Sequence, residues 1–422
     1  MRKREWYTAL KGPKATDLLT RLYGSEAKKG AERISALLDE APEDRELYLF
    51  STPGRTELAG NHTDHNHGMV LAASIQLDAL ALISPRTDKR VILRSAGFDG
   101  EFAVDLDSLE PDPSEAGDFR SLIRGVAAGL AEAGFRIGGF EGKIESRVLP
   151  GSGLSSSAAV EVLLGTIHSH LFNGGEIDAL KLAQIGQYAE NRFFGKPCGL
   201  MDQTACAWGG IVRIDFADPQ TPKVEGMEFS FEEKGYRLAV VDTGGNHADL
   251  TPDYAGCPEE MFAVASALGK RSAREIEADA FIEAIPRLRR ECGDRAILRI
   301  FHFMGENQRV AKMVADLQRD DLTSYLQHMR ASGDSSWKLL QNCFTVQNPT
   351  EQGITLAIAA AESAVGGDAA FRVHGGGFAG TIQALVPEEE AENFSRRMEA
   401  IFRPGCVTYL RLRREGTIRI LL

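Results

Sequence analysis

Residues 62–67 of this chain read His-Thr-Asp-His-Asn-His, so four side chains able to bind a metal fall within six positions. Their order is His-x-Asp-His-x-His rather than the His-x-His-x-Asp-His of metallohydrolases, and no distant His or Cys set completes a site. A second candidate is residues 149–161, LPGSGLSSSAAVE. Glycines let a backbone come close to a ligand, and the unpaired N–H groups of a first helical turn point at an anion. The hydroxyls of Ser155, Ser156 and Ser157 can cap that turn, ligate Mg²⁺ or touch phosphate. No Gly-Lys-Ser/Thr ending follows, which excludes a Walker loop. Taken alone, the stretch is equally an ordinary capped helix after a turn. The third candidate is Asp202, the lone carboxylate of a Gly-marked stretch at 195–210. An isolated Asp in a loop is most often solvated or capping.

The elements around these stretches position them. Residues 140–148 alternate apolar with polar, the pattern of a half-buried strand, and 158–171 has helical spacing. The phosphate-loop candidate therefore joins a strand to a helix. Residues 1–45 read as polar helix with Ala31, Ile34, Leu37 and Leu38 on one face, and 46–51 as a strand. Residues 56–68 are too polar and Gly-punctuated for core, so they read as a loop. Residues 69–83 form an apolar run ending at Pro85, followed by short strands at 91–94 and 101–106 and a helix at 119–135. A helix at 177–194, a loop at 195–210 and a strand at 211–216 come next. Residues 218–222 (Asp-Pro-Gln-Thr-Pro) mark the best boundary, giving expected domains 1–218 and 219–422. Beyond it come a strand at 236–242, a largely helical stretch at 257–346, and strand, Gly loop, strand, helix and two short strands over 369–422. Mixed rather than alternating elements make the class α+β.

Composition narrows the function. With 43% hydrophobic and 26% charged residues the chain reads as a soluble globular protein, long enough for two cores. A net charge of -12 argues against nucleic-acid or anionic-membrane surfaces, so a small anionic ligand needs local positive groups. Six cysteines show no C-x-x-C spacing, and the basic N-terminus has no apolar stretch behind it. The expectation is a cytoplasmic protein.

Three stretches in order carry a resemblance: PGRTELAGNHTDHNHGMVL (53–71), LPGSGLSSSAAVE (149–161) and VHGGGFAGTIQALV (373–386). Together they resemble the motifs of the GHMP small-molecule kinases, and the first looks like the galactokinase signature. KPCGLMDQ (196–203) and the Asn246-His247 to Tyr254 segment are also similar to galactokinases. The resemblance implies a two-domain GHMP kinase fold: a ribosomal S5 domain 2-like N-terminal domain and a ferredoxin-like C-terminal domain, with ATP and a sugar meeting between them. Phosphoryl transfer asks a protein mainly for positioning and charge stabilisation. By motif matching, Asp202 is the catalytic base and Arg55 the arginine beside it. Glu190 with a hydroxyl, Ser157 among the three serines, would hold Mg²⁺. Gly151, Ser152, Gly153, Leu154, Ser155, Ser156 and Ser157 would cradle the phosphates of ATP. Asn61, His62, Asp64, Gly199 and Tyr254 would line the sugar pocket, Asp64 able to accept two hydrogen bonds from a vicinal diol. The Gly375–Gly380 run would shape the cleft beside the phosphate loop.

The chain also departs from the signature. Galactokinases usually read GRxNxIGEHxDY; here Glu57 stands for the Asn, Asn61 for the Glu and His65 for the Tyr, while His374 and Ala379 replace small residues of the third motif. The acid and the amide trade places four residues apart, which predicts a hydrogen-bonded pair with its ends swapped. The family Glu is expected at the distal, C6 end of the sugar, so Asn61 there would admit a C6-altered substrate. The expected function is an ATP- and Mg²⁺-dependent sugar 1-kinase acting on galactose or a close relative such as galacturonate, as a monomer or weak homo-oligomer without nucleic-acid or membrane partners. A catalytically silent sugar sensor is the competing class; it predicts damage to the phosphate loop or the base, and both are intact. Kinases of non-sugar alcohols lack the segment 55–68.

Overall fold

The computed structural model describes residues 1–148, 153–245 and 250–422, apart from the side chain of Thr251. In chain order the first half comprises α1 (Lys3–Ala9), α2 (Pro13–Tyr23), α3 (Ala27–Asp39), β1 (Tyr48–Ala59), β2 (Met69–Pro85), β3 (Arg90–Ser95), β4 (Phe102–Asp105), α4 (Phe119–Glu132), β5 (Phe140–Ser146), α5 (Ser156–Phe172), α6 (Ala179–Ala189) and α7 (Met201–Trp208). The second comprises β6 (Ile211–Asp215), β7 (Lys223–Met227), β8 (Tyr236–Asp242), α8 (Thr251–Ala267), α9 (Ala278–Glu291), α10 (Asp294–Gln318), α11 (Leu322–Ser335), α12 (Gly353–Val365), β9 (Ala370–His374), β10 (Thr381–Pro387), α13 (Ala391–Ile401), β11 (Val407–Leu410) and β12 (Ile418–Ile420).

The larger sheet runs β12-β1-β2-β5-β3-β4, with β6 pairing β2 and β7 pairing β6. The apolar run at 69–83 becomes the long strand β2, and its reading as continuous rather than alternating has a cause. Ala79, Ala81 and Ile83 pack with α4, α5 and α6, while Leu80 and Leu82 pack with α2 and α3. A strand covered on both faces loses the apolar–polar alternation. β7 and β12 follow residue 218 yet hydrogen-bond into this sheet, so its strands come from both sides of the expected boundary. The smaller sheet has the order β11-β8-β10-β9, all antiparallel. Numbered by sequence, that is the 4-1-3-2 order of a ferredoxin-like βαββαβ unit, with α13 as its second helix.

Two local differences bear on the site. The loop expected from residue 56 begins later, because β1 continues through Thr56 and Glu57 to Ala59 against β2, with register shifts at 53/55 and 57/59. The polar residues there are paired across the strand and buried, so polarity alone misplaced the strand end. The stretch 195–210 is not all loop: Met201–Trp208 is helix α7, and Asp202 lies in its first turn.

Candidate functional site

Asp202 and Arg55 meet where β1 faces the start of α7. Arg55 donates from Nε to Asp202 Oδ1 at 2.7 Å and from Nη2 to Oδ2 at 2.8 Å, a two-point ion pair. Its third nitrogen, Nη1, donates to the carbonyl of Gly153. Ser155 Oγ donates to Asp202 Oδ2. Arg55 is buried, whereas the Asp202 side chain retains 30% exposure. Burial opposes ionisation of Asp202, but the charge and hydrogen bonds of Arg55, the Ser155 hydroxyl and Lys196 outweigh it and hold the carboxyl below its ordinary range. The N-terminus of α7 adds a favourable dipole.

Ser155 occupies the cap position of α5 in the left-handed region, φ 63°, and makes no capping bond. A non-glycine residue held there is strained; its hydroxyl is spent on Asp202 instead. Capping therefore does not account for the serines. Leu154 accepts from the Arg55 amide at 3.1 Å, so β1 and the end of the loop are locked together. Ser156 is the first residue of α5. Gly151 and Ser152, like Asn246 and His247, lie outside the described residues.

One turn further on, Ser157 Oγ donates to Glu190 Oε1 at 2.8 Å, and Lys196 Nζ reaches the same oxygen at 3.3 Å. Glu190 starts a π-helical turn, Glu190–Phe194, that ends α6. Two further residues belong here that motif matching did not single out. Gln203 Nε2 donates to Glu190 Oε2 and to Glu161 Oε2, both at 2.9 Å. Glu161 is 0% exposed, and its Oε1 and the Oε1 of Gln203 are buried without a partner. Burial, reinforced by the charge of Glu190, pushes the Glu161 carboxyl well above its ordinary value. A signal existed: Glu161 lies four residues after Ser157, on the same helix face.

The loop between β1 and β2 holds the other candidates. A Cβ placed on Gly199 would lie 1.9 Å from Asp64 Oδ2, so the carboxylate of Asp64 fills the space beside that glycine. His62, at φ 56°, donates from Nε2 to the Gly376 carbonyl at 2.9 Å, and burial lowers its pKa to about 4. Tyr254 donates to the Gly377 carbonyl at 3.1 Å and stacks edge-on against Phe378. Asn61 donates to the Gly375 carbonyl at 2.7 Å. Three successive carbonyls of the glycine turn are thus held by three of the residues expected to line a sugar pocket.

The side chain of Asn61 is turned into the protein. It is 1% exposed; Nδ2 also donates to Glu57 Oε1 at 3.1 Å, and Oδ1 accepts from Asn342 at 2.7 Å and Ser336 at 3.4 Å. Both the amide nitrogen and the oxygen of its side chain are thus bonded within the protein. The predicted Glu57–Asn61 hydrogen bond is present. Glu57 also accepts from Arg372 Nη2 on β9, forming a buried ion pair between the two sheets. His374, next on that strand but one, bonds Thr56 Oγ1 at 3.0 Å and Thr381 Oγ1 at 3.2 Å. A Cβ on Gly153 would sit 2.9 Å from its Nδ1, so the third motif abuts the end of the phosphate-loop stretch.

Residues 121–210 match the family described as GHMP kinases N terminal domain, and 39–85 match the galactokinase galactose-binding signature. A galactokinase from Lactobacillus helveticus is 32% identical over 361 residues, covering 84% of this chain and 89% of that protein. One from Streptomyces coelicolor is 32% identical over 375 residues, covering 88% and 92%. The crystal structure of Lactococcus lactis galactokinase complexed with galactose superposes with a TM-score of 0.75 at 24% identity, covering 96% of this chain and 98% of that one. The Methanococcus jannaschii mevalonate kinase gives 0.62 at 16% identity, covering 88% and 99%.

Proposed function

The chain belongs to the galactokinase branch of the GHMP kinases, and from that premise we propose that it transfers the γ-phosphoryl group of ATP to the anomeric hydroxyl of galactose. The observation that carries this reading is the two-point Arg55–Asp202 ion pair, with Gly199, against which Asp64 packs, three residues before Asp202 in the chain. A partly exposed carboxylate can accept the proton of an attacking hydroxyl while Asp64 holds neighbouring sugar hydroxyls. Its low pKa makes Asp202 a weak base, which suits a loose transition state in which the proton leaves late. Arg55 keeps Asp202 ionised and directed, and the amides that follow Gly153 supply positive charge to the phosphates.

Ser157 and Glu190 would hold Mg²⁺. The donors are hard oxygens, and the partnerless Oε1 atoms of Glu161 and Gln203 behind them add further oxygen character. The cation would be shared with the nucleotide phosphates, where it would neutralise charge developing during transfer. Gln203 fixes the Glu190 carboxylate from behind while its neighbour Asp202 faces the sugar.

A neutral sugar fits better than a uronate. Arg55, Arg372 and Lys196 are already matched by Asp202, Glu57 and Glu190, which leaves none of the three to receive a sugar carboxylate. The Arg55–Asp202 and Ser157–Glu190 pairs are both formed, which favours a kinase over a silent sensor. Among the described residues no helix is long and apolar enough to cross a membrane. All six cysteines are free thiols, which fits a cytoplasmic enzyme.

The test is ADP release from ATP with and without Mg²⁺ against galactose, N-acetylgalactosamine, galacturonate, L-arabinose, fucose and glucose. Galactose turnover above the rest, lost on removing Mg²⁺, is the expected outcome. Galacturonate turning over best would overturn the neutral-sugar reading, and no turnover with ATP still bound would return the sensor.

A further inference from the structure

Arg55 and Glu57 are two residues apart on β1, a spacing that directs both side chains to one side of a strand. Each meets a partner of opposite charge from a different part of the chain: Asp202 on α7 and Arg372 on β9. Glu57 is 2% exposed and Arg372 0%. Besides the ion pair, Arg372 Nη1 lies 3.4 Å from the Glu57 carbonyl, and Gln383 on β10 donates to that carbonyl at 2.9 Å and to Thr56 Oγ1 at 2.7 Å. Strands β9 and β10 flank the glycine turn, whose Gly375 carbonyl is held by Asn61, and Asn61 in turn holds Glu57. The buried carboxylate at 57 is thus the point where the catalytic strand, the sugar loop and the smaller sheet are tied together.

We infer that Glu57 is a positioning residue for the kinase reaction: paired with Arg372, it registers the glycine turn of the smaller sheet against the strand that presents Arg55 to Asp202. The inference rests on the kinase reading above. It also gives the acid–amide exchange between positions 57 and 61 a physical meaning. What matters is one carboxylate in this buried cluster to meet Arg372, with an amide as its neighbour. Burial raises the Glu57 carboxyl above its ordinary value, and the charges of Arg372 and Arg55 offset only part of that push, so the case rests on the hydrogen-bonded geometry.

Removing only one partner leaves an unpaired buried charge and endangers folding, whereas replacing both with apolar groups of similar size is often tolerated. The decisive variant is therefore Glu57→Leu with Arg372→Met, compared with wild type whose galactose turnover has first been shown. A melting temperature near wild type is the precondition. Loss of the latch should then lower kcat ~10- to 100-fold, the scale of a small misplacement of reacting groups, with the KM for ATP unchanged. A merely structural pair would leave kcat at the wild-type value in the folded double variant, and that result overturns the inference. If this double variant does not fold, Glu57→Asn is compared with Glu57→Asn/Asn61→Glu. Recovery of kcat on restoring the carboxylate at 61 supports the latch, and a folded pair with equal kcat overturns it. A silent wild type would instead sink the kinase reading itself.

Discussion

The carboxylate of Asp64 occupies the space that any side chain on Gly199 would need, with Oδ2 1.9 Å from where a Cβ would be. The glycine is therefore required by its neighbour rather than by its own backbone. Gly199→Ala should push Asp64 out of register while leaving the Arg55–Asp202 pair in place. The KM for the sugar should rise ~10- to 100-fold, the usual cost of a displacement near 1 Å, with the KM for ATP within about twofold. Steady-state kinetics with each substrate varied decide it; an unchanged sugar KM removes Asp64 from sugar contact.

Asp202 is the proposed base, and Asn at that position keeps shape while losing charge. Turnover of Asp202→Asn should fall by about two to four orders of magnitude, the reach of a general base. Nucleotide affinity, read by calorimetry, should change little. Because Arg55 is left without its partner, the melting temperature should drop as well, a buried lone cation being costly. Near-normal turnover would move the base elsewhere.

His168 gives a pH prediction distant from the chemistry. It is fully buried on α5 between Phe140 and Phe172, ring centroids 5.2 and 5.7 Å away, and its Nδ1 has no partner. Burial alone lowers its pKa to about 3. With the unfolded value near 6.5, the unfolded chain binds a proton that the folded chain refuses as pH falls from about 6.5 toward 3. The group's full contribution is present above 6.5 and is lost on acidification, at about 1.4 kcal/mol per pH unit. His168→Leu should shrink the loss of stability between pH 7 and pH 5, with His62 still contributing, and remove a buried orphan nitrogen. Urea unfolding at both pH values checks this; parallel losses in the two proteins would be the contrary result.

Much of the architecture was legible along the chain. The strand at 140–148, the helix at 158–171 and the strand–loop–strand–helix tail at 369–422 stand close to where the sequence pattern put them, although α5, β9 and β10 are buried on nearly every side. β1 beyond Ser51 and helix α7 were missed for one reason: polar and Gly-marked residues were read as solvated, when tertiary partners bury them.

The site divides the same way. The resemblance of local motifs implied that Arg55, Asp202, Ser157 and Glu190 belong to one constellation, and the structure forms the Arg55–Asp202 and Ser157–Glu190 pairs. Residue types and spacing determined that 57 and 61 form a pair, a separation of four being short enough to infer contact. Only the tertiary structure decided what that pair does. Arg372 and Asn342 come from more than 280 positions away, and their arrival turns Asn61 inward and neutralises Glu57. Glu161 and Gln203 behind Glu190 were decided there too. Burial and long-range charge pairing are properties of the packed chain, and no local pattern of residues encodes which partner will arrive.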